Sequence, residues 1–156
     1  MRSIIRNIGG AAMVEMAMVT PVLIVLGLGT FEFGNYFYNH HIVTTGIRDA
    51  ARYLARFDDP IAQSAQGRQL AVTGEIAGGQ QRIAWWNAVD VSVSLRNIAN
   101  PIDPNTGERP YRGRDPLSIV QVGTNVNYGG LGFLSVLGLG ASMNITVTHE
   151  ERVIGE

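Results

Sequence analysis

The stretch from Met16 to Phe31 reads MAMVTPVLIVLGLGTF without a charge, and it follows directly on a lone carboxylate, Glu15. With Ala11 to Val14 added, the apolar segment reaches the roughly 20 residues that a helix needs to cross a bilayer. A carboxylate at the centre of such a helix costs about 2.5–3.5 kcal/mol on insertion scales, so a glutamate at its mouth requires a reason. Near the end of the span, headgroups and water lower that cost without explaining the choice. The chain has 156 residues in all. That leaves room for one small domain of about 100 residues beyond the helix.

The flanks set an orientation. Arg2, Arg6 and the terminal amine precede the apolar run with no acid among them, so the positive-inside rule places the N-terminus in the cytoplasm and everything after Phe31 outside. Phe31, Phe33, Tyr36, Phe37 and Tyr38 crowd the outer end, where a helix crossing the headgroups carries aromatic residues. A secretory signal peptide is the rival reading, with Gly27 and Gly29 as small residues before a cut. Against it, Glu15 falls inside what would have to be the apolar core, and the pattern after Gly29 continues as a helix.

Beyond the membrane the apolar positions Tyr36, Val43, Ile47, Ala50, Leu54 and Phe57 recur at helical steps, interrupted at Asn39 and His40. Arg48, Arg52 and Arg56 form a row on another face, partly balanced by Asp49. The pattern predicts one helix from Ala11 to Phe57, about 70 Å long at 1.5 Å per residue, apolar all round in its first half and amphipathic in its second. Pro21 removes a hydrogen bond to the carbonyl of Ala17, so a kink or loosened turn is expected there. Gly27, Gly29 and Gly34 read either as ordinary membrane-helix glycines or as points of close backbone approach.

Asp58-Asp59-Pro60 ends that helix and predicts a short one from Pro60 to Val72, with Gly67 as a weak point. The period then switches to two. Val89, Val91, Val93 and Leu95 alternate with Asp90, Ser92, Ser94 and Arg96; Val120, Val122, Thr124 and Val126 mark a second strand; Met143, Ile145 and Val147 mark a third, running toward Val153. Asn97 to Pro116 is a proline-rich loop. Three strands with one apolar face need a cover, and the stripe on residues 43–57 supplies it. The expected fold class is α+β: a long N-terminal helix packed against a small antiparallel sheet.

Composition narrows the function classes. Twelve basic residues, all arginine, stand against 13 acidic ones for a net charge of −1, without the basic patch that nucleic acid demands. Cysteine is absent, which removes disulfides, thiol nucleophiles and Cys-based metal sites. His40 and His41 are adjacent on a helix and point about 100° apart, a poor geometry for sharing a metal. His149-Glu150-Glu151 lacks the second histidine of a zincin helix and reads as an exposed strand end. Asp103-Pro-Asn-Thr-Gly-Glu108 echoes the start of a calcium loop but departs from its spacing, so a proline-assisted turn is the default. Tyr111 to Asp115 carries no phosphate-loop signature, and the sequon at Asn144 is uninformative. No nucleophile, base and orienter set emerges, and no metal or cofactor is expected.

The layout resembles the TadE-like minor pilins, or pseudopilins, of tight-adherence (Flp-type) pilus systems. The resemblance is carried by AAMVEMAMVTPVLIVLGLGTFEFG (11–34), IRDAARYLAR (47–56), and the late strands around GGLGFLSVLGLG (129–140). Met16 stands where many relatives have an aromatic residue. Glycine, four residues, then glutamate is the pattern around a prepilin-peptidase cut. The resemblance thus implies a leader at 1–10, a cut between Gly10 and Ala11, and a recognition or assembly role for Glu15. It further implies a transmembrane helix at 11–34, its amphipathic continuation at 35–57, and a periplasmic α+β domain at 58–156 of a single-pass inner-membrane protein. The implied partners are the prepilin peptidase, the inner-membrane assembly platform, a related minor pilin, the major pilin and membrane lipid. The alternative is an uncleaved membrane protein whose outer domain binds an envelope partner or ligand.

Leu131, Phe133, Leu134, Val136 and Leu137 crowd a glycine-rich connection. They read either as a segment tucked under the sheet or as a surface facing membrane or a neighbouring subunit.

Overall fold

A computed structural model describes residues 8–136 and 143–154. Its elements are α1 (Ile8–Leu54), α2 (Ser64–Thr73), a 3-10 turn (Ala88–Asp90), β1 (Val91–Ile98), β2 (Leu117–Asn127), the one-turn α3 (Phe133–Val136) and β3 (Asn144–Arg152). The sheet is an antiparallel meander in the order β1-β2-β3, with Val93 opposite Val122 and Val122 opposite His149. The α+β architecture is therefore present: a long N-terminal helix and a small three-stranded sheet. The chain divides into two units, Met1–Phe37 with Gly129–Ala141, and Tyr38–Tyr128 with Ser142–Glu156.

In the second unit the amphipathic part of α1 buries the stripe its sequence shows. Val43, Ile47, Ala50 and Leu54 are fully buried, while Arg48, Arg52 and Arg56 are exposed. Tyr36 and Phe57 are only half-buried, and Phe57 packs edge-on against Tyr53 at 5.0 Å between ring centres. Asn39 does not interrupt the stripe; it is buried one turn before Val43 and takes a place in it. After Leu54 the chain tightens, with Arg56 and Phe57 donating backbone hydrogen bonds to the carbonyls of Tyr53 and Leu54.

Two glycines let α1 and α2 approach. A Cβ at Gly46 would lie 2.3 Å from the Ala71 carbonyl oxygen, and one at Gly67 would meet the Leu54 side chain at 2.7 Å. Gly67 is thus a packing residue rather than a flaw in the helix. The helix begins at Ser64, not Pro60, because Asp59 Oδ1 accepts the N–H groups of Ile61 and Ala62 and closes a separate turn first. Gly74 ends it in the left-handed conformation, φ 85°, with its N–H on the Leu70 carbonyl.

Trp86 is the keystone between helix and sheet. Its fully buried ring lies against Gly46, and its Nε1–H donates to Thr124 Oγ1 of β2 at 3.3 Å. Val91, Val120, Val122, Val126 and Ile145 supply the sheet's buried face, as their alternation predicts. At the far end, the Ile154 N–H donates to the Ala55 carbonyl and Arg52 pairs with Glu151 at 3.7 Å.

β1 is displaced from its sequence pattern: it starts at Val91 instead of Val89 and runs on through Asn97 and Ile98, into the expected loop. Val89 is 85% exposed in the 3-10 turn, where the Asp90 carboxylate accepts the Asn87 N–H, and Leu95 is 40% exposed. The proline-rich loop is organised by the buried Asn100, whose side chain bonds the backbone of Tyr111 and Arg114. Asp103 to Glu108 is a closed turn, with Asp103 Oδ1 accepting the Asn105 N–H.

Candidate functional site

The first unit contains the sequence-derived site residues. Glycine is a poor helix former, yet Gly9 and Gly10 lie within the first turns of α1, and the Gly10–Ala11 junction is helical. Glu15 follows Ala11 by four residues, one turn later on the same face, and is exposed. From Met13 to Leu26 the apolar side chains point outward: Met13 is 76% exposed, Met18 73% and Leu26 62%. An apolar helix with no buried face in its own fold is matched to an apolar surrounding. The helix is long and apolar enough to cross a membrane by length and composition.

Pro21 does not break α1, which is helical on both sides of it. Just before it, the Thr20 hydroxyl donates to the Met16 carbonyl at 2.6 Å, and Thr30 does the same to Leu26 at 2.8 Å, so both hydroxyls are satisfied within the helix. Val25, Leu26, Gly29, Thr30, Phe33, Gly34 and Phe37 line a shallow apolar groove, open because the three glycine-type and threonine positions carry little bulk.

The C-terminal end of the apolar run holds a residue outside the sequence-derived set. Glu32 is 2% exposed, and its carboxylate accepts the backbone N–H groups of Leu131 at 2.9 Å and Phe133 at 3.1 Å. The glycine-rich segment therefore groups with the apolar part of α1. Leu131 is 51% exposed and Phe133 half-buried; Leu134 and Val136 lie in α3, and Leu137 lies outside the described residues. The structure brings Leu131 and Phe133 to Glu32. It leaves Glu15 about 25 Å away along the helix at 1.5 Å per residue, and Gly10 and Ala11 at the same end, more than about 30 Å away. A carboxylate closing an uncharged run, and glycines spaced by one residue in Gly130-Leu131-Gly132, were the available signals for Glu32.

The Thr44 hydroxyl donates to the His40 carbonyl at 2.8 Å, His41 is exposed, and His149 Nε2 lies 3.2 Å from Glu151 Oε1 on the covered face of β3. Among the described residues, no group of three or more His, Cys, Asp or Glu is placed to hold a metal ion.

Residues 10–52 match the family model described as TadE-like protein, which spans the apolar and amphipathic parts of α1 together. No curated protein and no solved structure matches the chain.

Proposed function

From a chain that carries the TadE-like segment over residues 10–52, we propose a minor pilin, or pseudopilin, that is made as a prepilin and acts in assembly of a tight-adherence type IV pilus. The prepilin peptidase cuts between Gly10 and Ala11. The mature helix then anchors the subunit in the inner membrane, with the sheet domain on the periplasmic side. Its further partners are the assembly platform, a related minor pilin and the major pilin, and its role is structural rather than catalytic.

The observation that carries this reading is the coincidence of the family segment with a helix whose apolar side chains are exposed and whose one carboxylate at that end, Glu15, stands one turn after Ala11. Cleavage would give Ala11 a free ammonium in an apolar setting. Glu15 of the same or a neighbouring subunit neutralises it, and an uncompensated charge at that depth is costly enough to select the register of assembly. Gly9 and Gly10 favour the reaction by letting the first turn open for the peptidase.

The test is the N-terminus of the protein recovered from its host membranes, by intact mass or N-terminal sequencing. A chain starting at Ala11 supports the proposal. A chain retaining Met1 replaces it with an uncleaved membrane protein whose outer domain binds an envelope partner, and one starting near Thr30 replaces it with a secreted domain.

A further inference from the structure

Glu32 closes the apolar run that opens after Glu15. At 1.5 Å per residue, the helix rises about 30 Å between Ala11 and Glu32, the thickness of a bilayer's hydrocarbon core. With Ala11 at one boundary, Glu32 stands at the other. A carboxylate at that level must reach water or be given donors in place.

Donors are what it has. The N–H groups of Leu131 and Phe133 converge on its two oxygens at 2.9 and 3.1 Å. Gly130 and Gly132 take positive φ, 51° and 84°, while Leu131 between them does not. Alternating handedness turns successive amides to one side and makes a concavity for an anion. Side chains rarely accept those φ values, which is why glycine occupies both positions. The segment that results is uncharged from Gly129 to Met143. Its Leu131 (51% exposed) joins Phe31 (71%), Phe33 (51%) and Phe37 (66%) in the same unit, an apolar and aromatic collar at the end of the span.

We infer that residues 129–136 are a second membrane-contacting element, docked by Glu32 beside the outer end of the span, with Leu131 and the flanking phenylalanines seated in outer-leaflet lipid. Lipid is the occupant because the collar continues the apolar surface of the span itself, and because an aromatic-rich, uncharged surface suits the headgroup boundary. Glu32 is a positioning residue in this arrangement: it holds the segment down while the segment shields the carboxylate from acyl chains. The inference requires that α1 spans a membrane, and depends neither on leader cleavage nor on pilus assembly.

The absence of cysteine makes the test clean. Single spin labels are placed through Val22→Cys, Leu131→Cys and Thr106→Cys in the full chain, reconstituted into phosphatidylcholine–phosphatidylglycerol vesicles. Collision with oxygen, which partitions into lipid, is compared with collision with a water-soluble nickel chelate. The labels at 22 and 131 should favour oxygen, and the label at 106, on the proline-rich loop, should favour nickel. Adding Glu32→Ala should bring position 131 to the nickel accessibility of position 106 while leaving 22 unchanged; Glu32→Gln, which keeps one acceptor oxygen, should fall between.

A water-exposed 131 beside a lipid-exposed 22 overturns the inference and leaves the membrane anchor standing. A water-exposed 22 overturns both. Protection of 131 accompanied by dipolar broadening that dilution with unlabelled protein removes assigns the surface to a second copy. A position 131 indifferent to Glu32→Ala removes Glu32 from the role.

Discussion

Along α1, the side chains between Met13 and Leu26 stay exposed, whereas Val43, Ile47, Ala50 and Leu54 are wholly buried by the chain's own fold. The helix is continuous, so the difference lies in what each half is built to meet. The first half is apolar on every side, and no single cover from a chain of this size could satisfy it. The second half is apolar on one stripe, which α2, Trp86 and the sheet fill. Even the glycines divide this way: a Cβ at Gly27, Gly29 or Gly34 meets nothing within 4 Å, while one at Gly46 would meet the Ala71 carbonyl oxygen at 2.3 Å. The same residue type thus leaves open space beside the helix in one half and admits an internal neighbour in the other. Substitutions in the second half should therefore register as lost stability, and those in the first as lost partnership.

The largest effect is expected from Gly46→Leu. The obstacles are a main-chain oxygen and the Trp86 ring, neither of which can move without parting α1 from α2. Overpacking here should exceed about 5 kcal/mol, in the exceptional range, and leave no cooperative transition. Gly34→Leu, its counterpart on the exposed half, should leave the transition where it was. Urea unfolding in detergent micelles, followed by tryptophan fluorescence, measures both. A foldable Gly46→Leu protein would end the distinction between the two sets of glycines.

Leu54→Ala comes next, at about 3 kcal/mol, because the side chain is fully buried against Gly67 and the gap has no nearby Cβ to fill it. Leu26→Ala deletes the same atoms from a residue that is 62% exposed, and its midpoint should not move. Equal losses at 26 and 54 would show that the first half is buried in the isolated chain after all.

A smaller loss is expected from Thr124→Val, which keeps shape and burial but removes one hydroxyl. That hydroxyl donates to the Asp90 carbonyl at 2.9 Å and accepts from Trp86 Nε1 at 3.3 Å. Its removal strands the buried Trp86 donor and a part-buried carbonyl, worth about 1–3 kcal/mol. Thr20→Val in the first half, where the hydroxyl only supplements a helix carbonyl, should be neutral by the same assay.

The division of α1 was legible because hydropathy pattern reports burial directly: an unbroken apolar run and a stripe at helical steps are different signals. β2 and β3 were legible for the same reason. The errors fell where a local polar group outcompetes the pattern. Asp59 closes a turn that delays α2 by four residues, and the Asn87–Asp90 pairing takes Val89 out of the strand its alternation suggests. Gly67 read as a weak helix position and the packing role of Gly46 left no signal, since a steric reason for glycine resides in a neighbour rather than in the local sequence. Glu32 was illegible on other grounds. Its partners are a hundred residues away and are backbone amides, which leave no trace in side-chain chemistry beyond two spaced glycines.

Glu15→Ala should have the smallest effect on stability and sharpens the comparison most. Glu15 is exposed at the start of the apolar half, so its loss should change the unfolding free energy by no more than about 0.5 kcal/mol and should not impair membrane insertion. On the proposed function, pilus assembly should nevertheless fail or fall sharply, because the ammonium that the proposed cut leaves at Ala11 would have no carboxylate to meet at the same depth. Glu15→Gln separates charge from hydrogen bonding: it keeps the length and the acceptor but not the charge, and should fail as the alanine variant does if neutralisation is the issue. Shed-pilus quantification beside a carbonate-extraction assay reads both quantities from one culture. Normal piliation in both variants would reduce Glu15 to a carboxylate snorkelling to the headgroups, and the exposed half of α1 to a plain anchor.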